Sequence, residues 1–419
     1  MNQPSVRGNL TLEYGDVVIE ENFVKELREN RPRGISGLTM TATTTPALTD
    51  NKTLNEVVNC LTENIPLPTQ GKCEQRNIFE ILIRAATQRD SIENTTKVLK
   101  NVPTSNDIRY HLEKYSDLGS LEEALNKALQ SRLPTGIRQG QQKIAIDFNL
   151  IPYYGEPSSL EAPYIYRSQA KNGTCSFYAY ATVYVIKKNK RVTLAIKAVQ
   201  QQNTLVAIIT YLLALIEPLN LKIERLYLDR EFFCVPVIRW LQALDIPFEM
   251  PAIIRGKHGG TKQLIRGRRS YKTSYTLNSD KYGSCTFPVW IVCTYKNGKR
   301  RAHGREFFVY AVYQVKLSLH SIHDDYRLRF GIESSYRMKN QCRIKTTIKN
   351  PTIRLLFVGL SFLIINIWIY LVWHFISRLK RSTRQVFSDL FTLKQMLEFL
   401  RQAVDRSYGV ACEVYLPSG

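Results

Sequence analysis

Between Leu355 and Phe375 lie 21 residues of mostly apolar character, preceded by Arg354 and followed by Arg378, Lys380 and Arg381. A run of that length has two homes: it crosses a bilayer, or it is a helix buried on nearly all sides in a folded core. Ser361 and Asn366 sit near its middle and His374 near its end. Polar groups at those places need partners, which protein supplies and lipid tails do not. The run stands alone in the sequence and follows directly on a charged, helix-like segment, so a core helix is the expectation. A single-span membrane protein with a basic face rests on this segment alone.

A core helix of that size needs a large fold around it. The 419 residues, 44% of them apolar, supply enough for two or three domains and exclude a disordered or collagen-like chain. The balance of 58 Lys+Arg against 36 Asp+Glu gives a net charge of +22, which points to a polyanion: nucleic acid or an anionic membrane surface. The eight cysteines form no CxxC pair and the six histidines no HExxH or HxxxH pair, so zinc-ribbon and thioredoxin readings lose support. No basic segment followed by an apolar run opens the sequence, and an intracellular protein with reduced thiols is expected.

The charge is unevenly placed. Residues 1–140 carry 17 basic and 18 acidic side chains, against 41 and 18 in the rest. Residues 251–310 alone hold 13 basic and 2 acidic, half of the whole net charge. Arg266, Arg268, Arg269 and Lys272 come first, then Lys296, Lys299, Arg300 and Arg301, with Tyr271, Tyr275, Tyr282 and Tyr295 interleaved. A single such run is usually a solvated face. This density, with almost no acids, suits a phosphate backbone, from which Lys and Arg displace condensed counterions.

Periodicity divides the chain. Residues 1–50 read as an irregular segment ending in a Thr-rich stretch, and 51–138 as a helical domain. Within it Ser91 can cap one short helix and Thr104 or Ser105 a second. The pair resembles a helix-turn-helix with Ser105–Tyr115 as recognition helix; an ordinary helical bundle reads equally well, and the neutral charge there favours it. From residue 141 the period becomes that of strands. Five strands (QKIAIDFNLI, TCSFYAYATVYVI, VTLAIKAVQ, LKIERLYLDR and IPFEMPAII) are interrupted by helices over Asn203–Leu219 and Phe232–Leu244. That order is mixed α/β with an antiparallel hairpin at one side. FPVWIVCTY and FFVYAVY are strand-like, and Asp324–Lys339 reads as one helix.

Three acids stand out. Asp147 lies in the first strand, Asp229 ends the fourth, and Glu333 is on the later helix. An acid within an apolar strand is costly unless paired or metal-bound. If the first and fourth strands are neighbours, Asp147 and Asp229 repel, and a hard cation such as Mg²⁺ answers the repulsion. A third carboxylate would complete a two-metal site for phosphoryl transfer. Taken singly, an Asp at a strand end is more often a turn or cap residue. Tyr326, Arg329 and Glu333 fall on one helical face, continued by Arg337 and Asn340, where cations beside a carboxylate could hold a phosphate. Intrahelical ion pairs on a surface helix would explain the same spacing.

Together these residues resemble a known family. Tyr326-x2-Arg329-x3-Glu333 is similar to the YREK signature of bacterial and archaeal insertion-sequence transposases of the DDE type. LYLDREFF is similar to the block around their second Asp, and IAIDFNLIPYYG to the block around the first. NPTIRLLFVGLSFLIINIWIYL resembles the apolar helix that follows their Glu. The likeness covers roughly residues 140–380. It implies a ribonuclease-H-like mixed sheet flanked by helices over 139–252 and 316–385 and a basic β-rich insertion over 253–315; residues 386–419, beyond the likeness, read as a C-terminal helical tail. It implies a metal triad of Asp147, Asp229 and Glu333 holding Mg²⁺ or Mn²⁺, two ions in all. Tyr326 and Arg329 would touch transposon-end DNA. The family's Lys falls seven residues after the Glu, where this sequence has Asn340; Lys339 or Arg337 would then make that phosphate contact. The implied activity is cleavage at the ends of an insertion sequence and 3′-OH strand transfer into double-stranded target DNA. A homodimer would hold the two terminal inverted repeats, in the cytoplasm at the nucleoid. A catalytically inactive, domesticated DNA-binding protein is the alternative.

Overall fold

The computed structural model describes residues 47–71, 73–138, 140–256, 260–295, 304–380 and 383–413. Lys299, Arg300 and Arg301, expected at the DNA, lie outside the described residues, as does nearly all of the irregular segment 1–50.

Five helices come first: α1 (Asp50–Asn64), α2 (Gln75–Gln88), α3 (Ile92–Val98), α4 (Ser105–Glu113) and α5 (Leu118–Ser131). Side-chain caps set the starts of all but α2, satisfying N–H groups that have no partner within a helix. The Ser91 hydroxyl accepts from Asn94, and Thr104 forms a reciprocal capping box with Asp107.

Residues 141–313 build one nine-stranded sheet. Its strands are β1 (Gln141–Pro152), β2 (Ile165–Lys171), β3 (Thr174–Val185), β4 (Thr193–Ala198), β5 (Lys222–Leu228), β6 (Phe248–Pro251), β7 (Tyr271–Ser279), β8 (Gly283–Tyr295) and β9 (Arg305–Tyr313). The order is β2-β3-β1-β5-β6-β9-β8-β7, with β4 also on β3. β1, β3 and β4 pair antiparallel, whereas β5 runs parallel to β1 and β6 parallel to β5. Helices α6 (Leu205–Ile216) and α7 (Val235–Ala243) make the crossovers into β5 and β6. A large mixed sheet flanked by helices is what a ribonuclease-H-like fold requires. The basic segment after β6 extends this same sheet, because β9 pairs antiparallel with β6 and carries β8 and β7 beyond it.

The segment expected as one helix over Asp324–Lys339 is two, α8 (Ile322–Arg327) and α9 (Phe330–Lys339). Between them the backbone tightens to three-residue turns: Leu328 N–H donates to Asp325, and Arg329 N–H to Tyr326. Side chains three apart are eclipsed in such turns, so Tyr326 and Arg329 meet.

The apolar run is α10 (Pro351–Phe375), capped by Asn350 and buried for nearly its whole length within the protein. Its polar residues have partners there. The Asn366 amide donates to the carbonyls of Thr193 (2.7 Å) and Leu129 (3.1 Å) and accepts from Thr193 N–H (3.0 Å), tying α10 to β4 and α5. The Ser361 hydroxyl bonds the carbonyls of Cys342 and Phe357, each at 2.9 Å. Gly359 permits the closest approach: a Cβ there would lie 2.6 Å from a methyl of Leu125 on α5. One apolar cluster therefore runs from the N-terminal helices through α10 to the sheet. The last helix, α11 (Leu393–Tyr408), returns to α1 and α2, where Asp405 pairs with Arg84 at 2.6 Å and Arg406 with Asp50 at 2.6 Å.

Candidate active site

Alternation along the strands decides which face carries the acids. Ile144, Ile146, Leu226 and Leu228 point into the large apolar cluster shared with α10. Ala145 and Tyr227 point to the other face, into a smaller cluster with Ile322, Tyr326 and Ile332 of α8 and α9. Asp147 and Asp229 follow on this second face. In the parallel register Ile146 stands opposite Leu228, so the two aspartates are neighbours at the C-terminal ends of β1 and β5. Asp147 is buried and Asp229 partly so.

Arg329 lies between them. One guanidinium nitrogen donates to Asp147 Oδ2 at 2.9 Å and the other is 3.2 Å from Asp229 Oδ1. Its Nε donates to the Tyr326 hydroxyl at 2.8 Å, which donates to the Leu228 carbonyl at 3.0 Å. Arg329 is 5% exposed and Tyr326 6%, so both face the acids. Burial pushes the Asp147 carboxyl up to about 6, with Asp229 and Glu333 adding to the rise and Arg329 opposing it. The Tyr336 hydroxyl bonds the Asp147 carbonyl (3.2 Å) and Thr182 (2.8 Å), which fixes the backbone under the acid.

Glu333, on the first turn of α9, lines an open cavity of about 590 Å³ with Asp229, Arg329, Tyr326 and Phe330. Among the described residues no three His, Cys, Asp or Glu side chains converge closely enough to hold a metal ion as they stand. The guanidinium occupies the space between two of the three expected ligands.

The remaining expected DNA contacts are dispersed. Arg337 is exposed on α9, whereas Lys339 is 1% exposed, its ammonium 5.7 Å from the Phe362 ring. Ile332, Ser335 and Lys339 form the buried stripe of α9, which is why Lys339 turns inward. Arg266, Arg268 and Arg269 are exposed in the segment before β7.

A buried charge cluster went unread in the sequence. Asp325, next to Tyr326, receives Lys143 of β1 (2.6 Å), Tyr227 (2.5 Å) and Arg225 of β5. Glu249 of β6 lies 3.9 Å from Arg225 with both oxygens unbonded, and burial pushes its carboxyl up to about 9. The cluster pins α8 to β1 and β5 and so positions Tyr326 and Arg329. Its trace in the sequence is a charged residue within each of three strands, Lys143, Arg225 and Glu249.

With this geometry in place, the sequence profile of the family described as Transposase DDE domain matches residues 138–367, more than half of the chain. The chain belongs to the DDE transposase family. The match runs from just before β1 into α10, so it spans all three acids and the helix behind them. Among solved structures, a piggyBac transposase in a synaptic complex with hairpin DNA is similar at a TM-score of 0.54 and 10% identity, covering 88% of this chain and 82% of that one. That likeness extends to the mixed sheet and its flanking helices. No curated protein matches the chain. A DDE transposase domain makes the chain an enzyme of the nuclease and transposase kind, and the sequence expectation of family and fold holds.

Proposed function

We propose that this transposase binds the ends of an insertion sequence, cleaves DNA there and joins the freed 3′-OH to target DNA, with Asp147, Asp229 and Glu333 as the catalytic carboxylates. The observation that carries the reading is the β1/β5 register, which brings Asp147 and Asp229 together on the face covered by the Glu333 helix. Two adjacent carboxylates, one of them buried, need a cation, and their hard oxygen donors fit Mg²⁺ or Mn²⁺. Glu333 lines the same cavity as Asp229 and is near enough to raise the Asp147 carboxyl. Bound there, a divalent pair would sharpen a water or 3′-OH as nucleophile and steady the leaving oxygen of an in-line displacement.

The chain's own residues do the rest. Arg329 holds the two aspartates in register and, once released, is placed to grip a phosphate bidentately. Tyr326 orients Arg329 through its hydroxyl. Exposed Arg266, Arg268, Arg269 and Arg337 supply charge for the DNA backbone, as Lys299, Arg300 and Arg301 would in the basic segment. A homodimer would hold two ends, acting at the nucleoid in the cytoplasm.

The guanidinium between the aspartates favours a second reading, a DNA-binding protein without catalysis. Cleavage of a labelled duplex bearing the element's own terminal repeat separates the two. Nicking at the repeat boundary in Mg²⁺, absent in EDTA and in Glu333→Gln and Asp147→Asn, is expected. Binding without cleavage by the wild type under either metal leaves the second reading standing.

A further inference from the structure

A second basic cavity lies at the far end of α9, where the catalytic region meets the N-terminal helices. It is a groove of about 670 Å³ lined by Arg89 at the end of α2, Arg109 of α4, and Asn340, Arg343 and Lys345 beyond α9. Its one carboxylate, Glu93, is already shared among Lys97 (3.0 Å), Arg109 (3.5 Å) and the Ser105 hydroxyl. Arg89, Arg343 and Lys345 pair with no acid among the described residues. Burial, Arg354 and Arg89 all hold the Arg343 guanidinium below its usual range. Cations kept together without an acid are uncompensated until an anion arrives.

The groove is built rather than accidental. Lys345 N–H donates to the Asp90 carbonyl at 3.0 Å, fastening the irregular segment after α9 to the α2–α3 joint. Arg89 takes a left-handed backbone (φ 52°) to close α2, which aims its side chain outward at this point. The dipole at the end of α2 favours one cation there, but it does not account for Arg343 or Lys345. Asn340, on the groove wall, is seven residues past Glu333, about 10 Å along a helix axis. That is roughly three base pairs of duplex at 3.4 Å each.

We propose that this groove binds backbone phosphates of the same duplex whose scissile bond lies at the acids, so that Arg89, Arg343 and Lys345 position DNA across the junction of the helical and catalytic parts. The inference rests on the reading that the chain acts on DNA and names where the duplex runs.

The test is binding of a labelled duplex of arbitrary sequence, in EDTA, over a series of salt concentrations. For the triple variant Arg89→Gln/Arg343→Gln/Lys345→Gln the slope of log Kd against log salt should fall by about 2–3, from about 0.9 per lost phosphate contact. Arg343→Lys keeps its charge and should keep the slope. Should the triple variant not fold, Lys345→Gln alone, at an exposed position, should lower the slope by about 0.9. An unchanged slope in a folded variant, with wild-type binding and cleavage intact, overturns this inference and leaves the proposed function in place. A wild type that binds no duplex overturns both.

Discussion

Replacing Lys339 by Met should stabilise the protein, and by an amount that depends on pH in a defined way. Lys339 is buried, and burial first, then Arg343, lowers its ammonium from 10.5 to about 7. Folding therefore favours the neutral amine. Above pH 10.5 the amine is neutral in both states and costs nothing by this route. As pH falls toward 7 the unfolded chain binds a proton that the folded chain refuses, and stability drops by about 1.4 kcal/mol per pH unit. Across the whole window that amounts to about 5 kcal/mol, fully lost at pH 7 and below. Methionine has a similar volume and no proton to bind, so it keeps the packing against Phe362. Urea denaturation of wild type and Lys339→Met at pH 7, 8, 9 and 10 should show a stability gap that shrinks with each step. A gap that stays constant with pH would mean that the ammonium is solvated and the burial argument is wrong. The same variant should leave the salt slope of DNA binding unchanged, whereas a surface phosphate contact would lower it by about 0.9.

Removing the guanidinium by Arg329→Gln should cost about 3–5 kcal/mol at pH 7 without metal, because two facing aspartates lose their cation. Mg²⁺ should then raise the melting temperature of the variant more than that of the wild type, and equal responses would count against Arg329 holding the ion's place. Asp325→Ala strips Lys143, Arg225 and Tyr227 of their shared partner and should destabilise by about 3–5 kcal/mol. It should also lower the cleavage rate at saturating DNA, since Tyr326 and Arg329 are positioned through it; full activity would separate the cluster from the site. Asn366→Leu leaves the Thr193 amide and two carbonyls unbonded in the core. Denaturant unfolding should show a loss of about 1–3 kcal/mol for each orphaned group.

The acids were legible because an Asp amid Ala145, Ile146 and Phe148 breaks a strand's apolar pattern in a way no loop residue does. The Ser91 and Thr104 caps and the core helix were legible for similar reasons, local chemistry acting over a few residues. What escaped was long-range. β2 is a mostly exposed edge strand whose polar sequence gives no burial signal. Asp325 meets Arg225 across 100 residues, and no spacing rule spans that distance. Asp147 and Asp229 become neighbours only through a strand register set by the rest of the sheet. Lys339 was misleading in a different way. Its charge suggested solvent and DNA, yet its spacing from Ile332 already placed it on the buried stripe.

The position of α10 also bears on how the chain is made. The helices it completes begin at Asp50, and α10 itself begins at Pro351, about 300 residues later. At about 5–20 residues per second, the ribosome needs on the order of 15–60 s to bridge that interval. Through it, α1, α2 and α5 have no finished core to join, and their apolar faces stay open to chaperones and to each other. When the apolar helix does emerge, it carries the length and composition that membrane-insertion machinery recognises. Its capture by Leu125, Leu129 and Thr193 competes with that machinery, so yield in the cell should depend on the speed of docking as much as on the stability of the finished transposase.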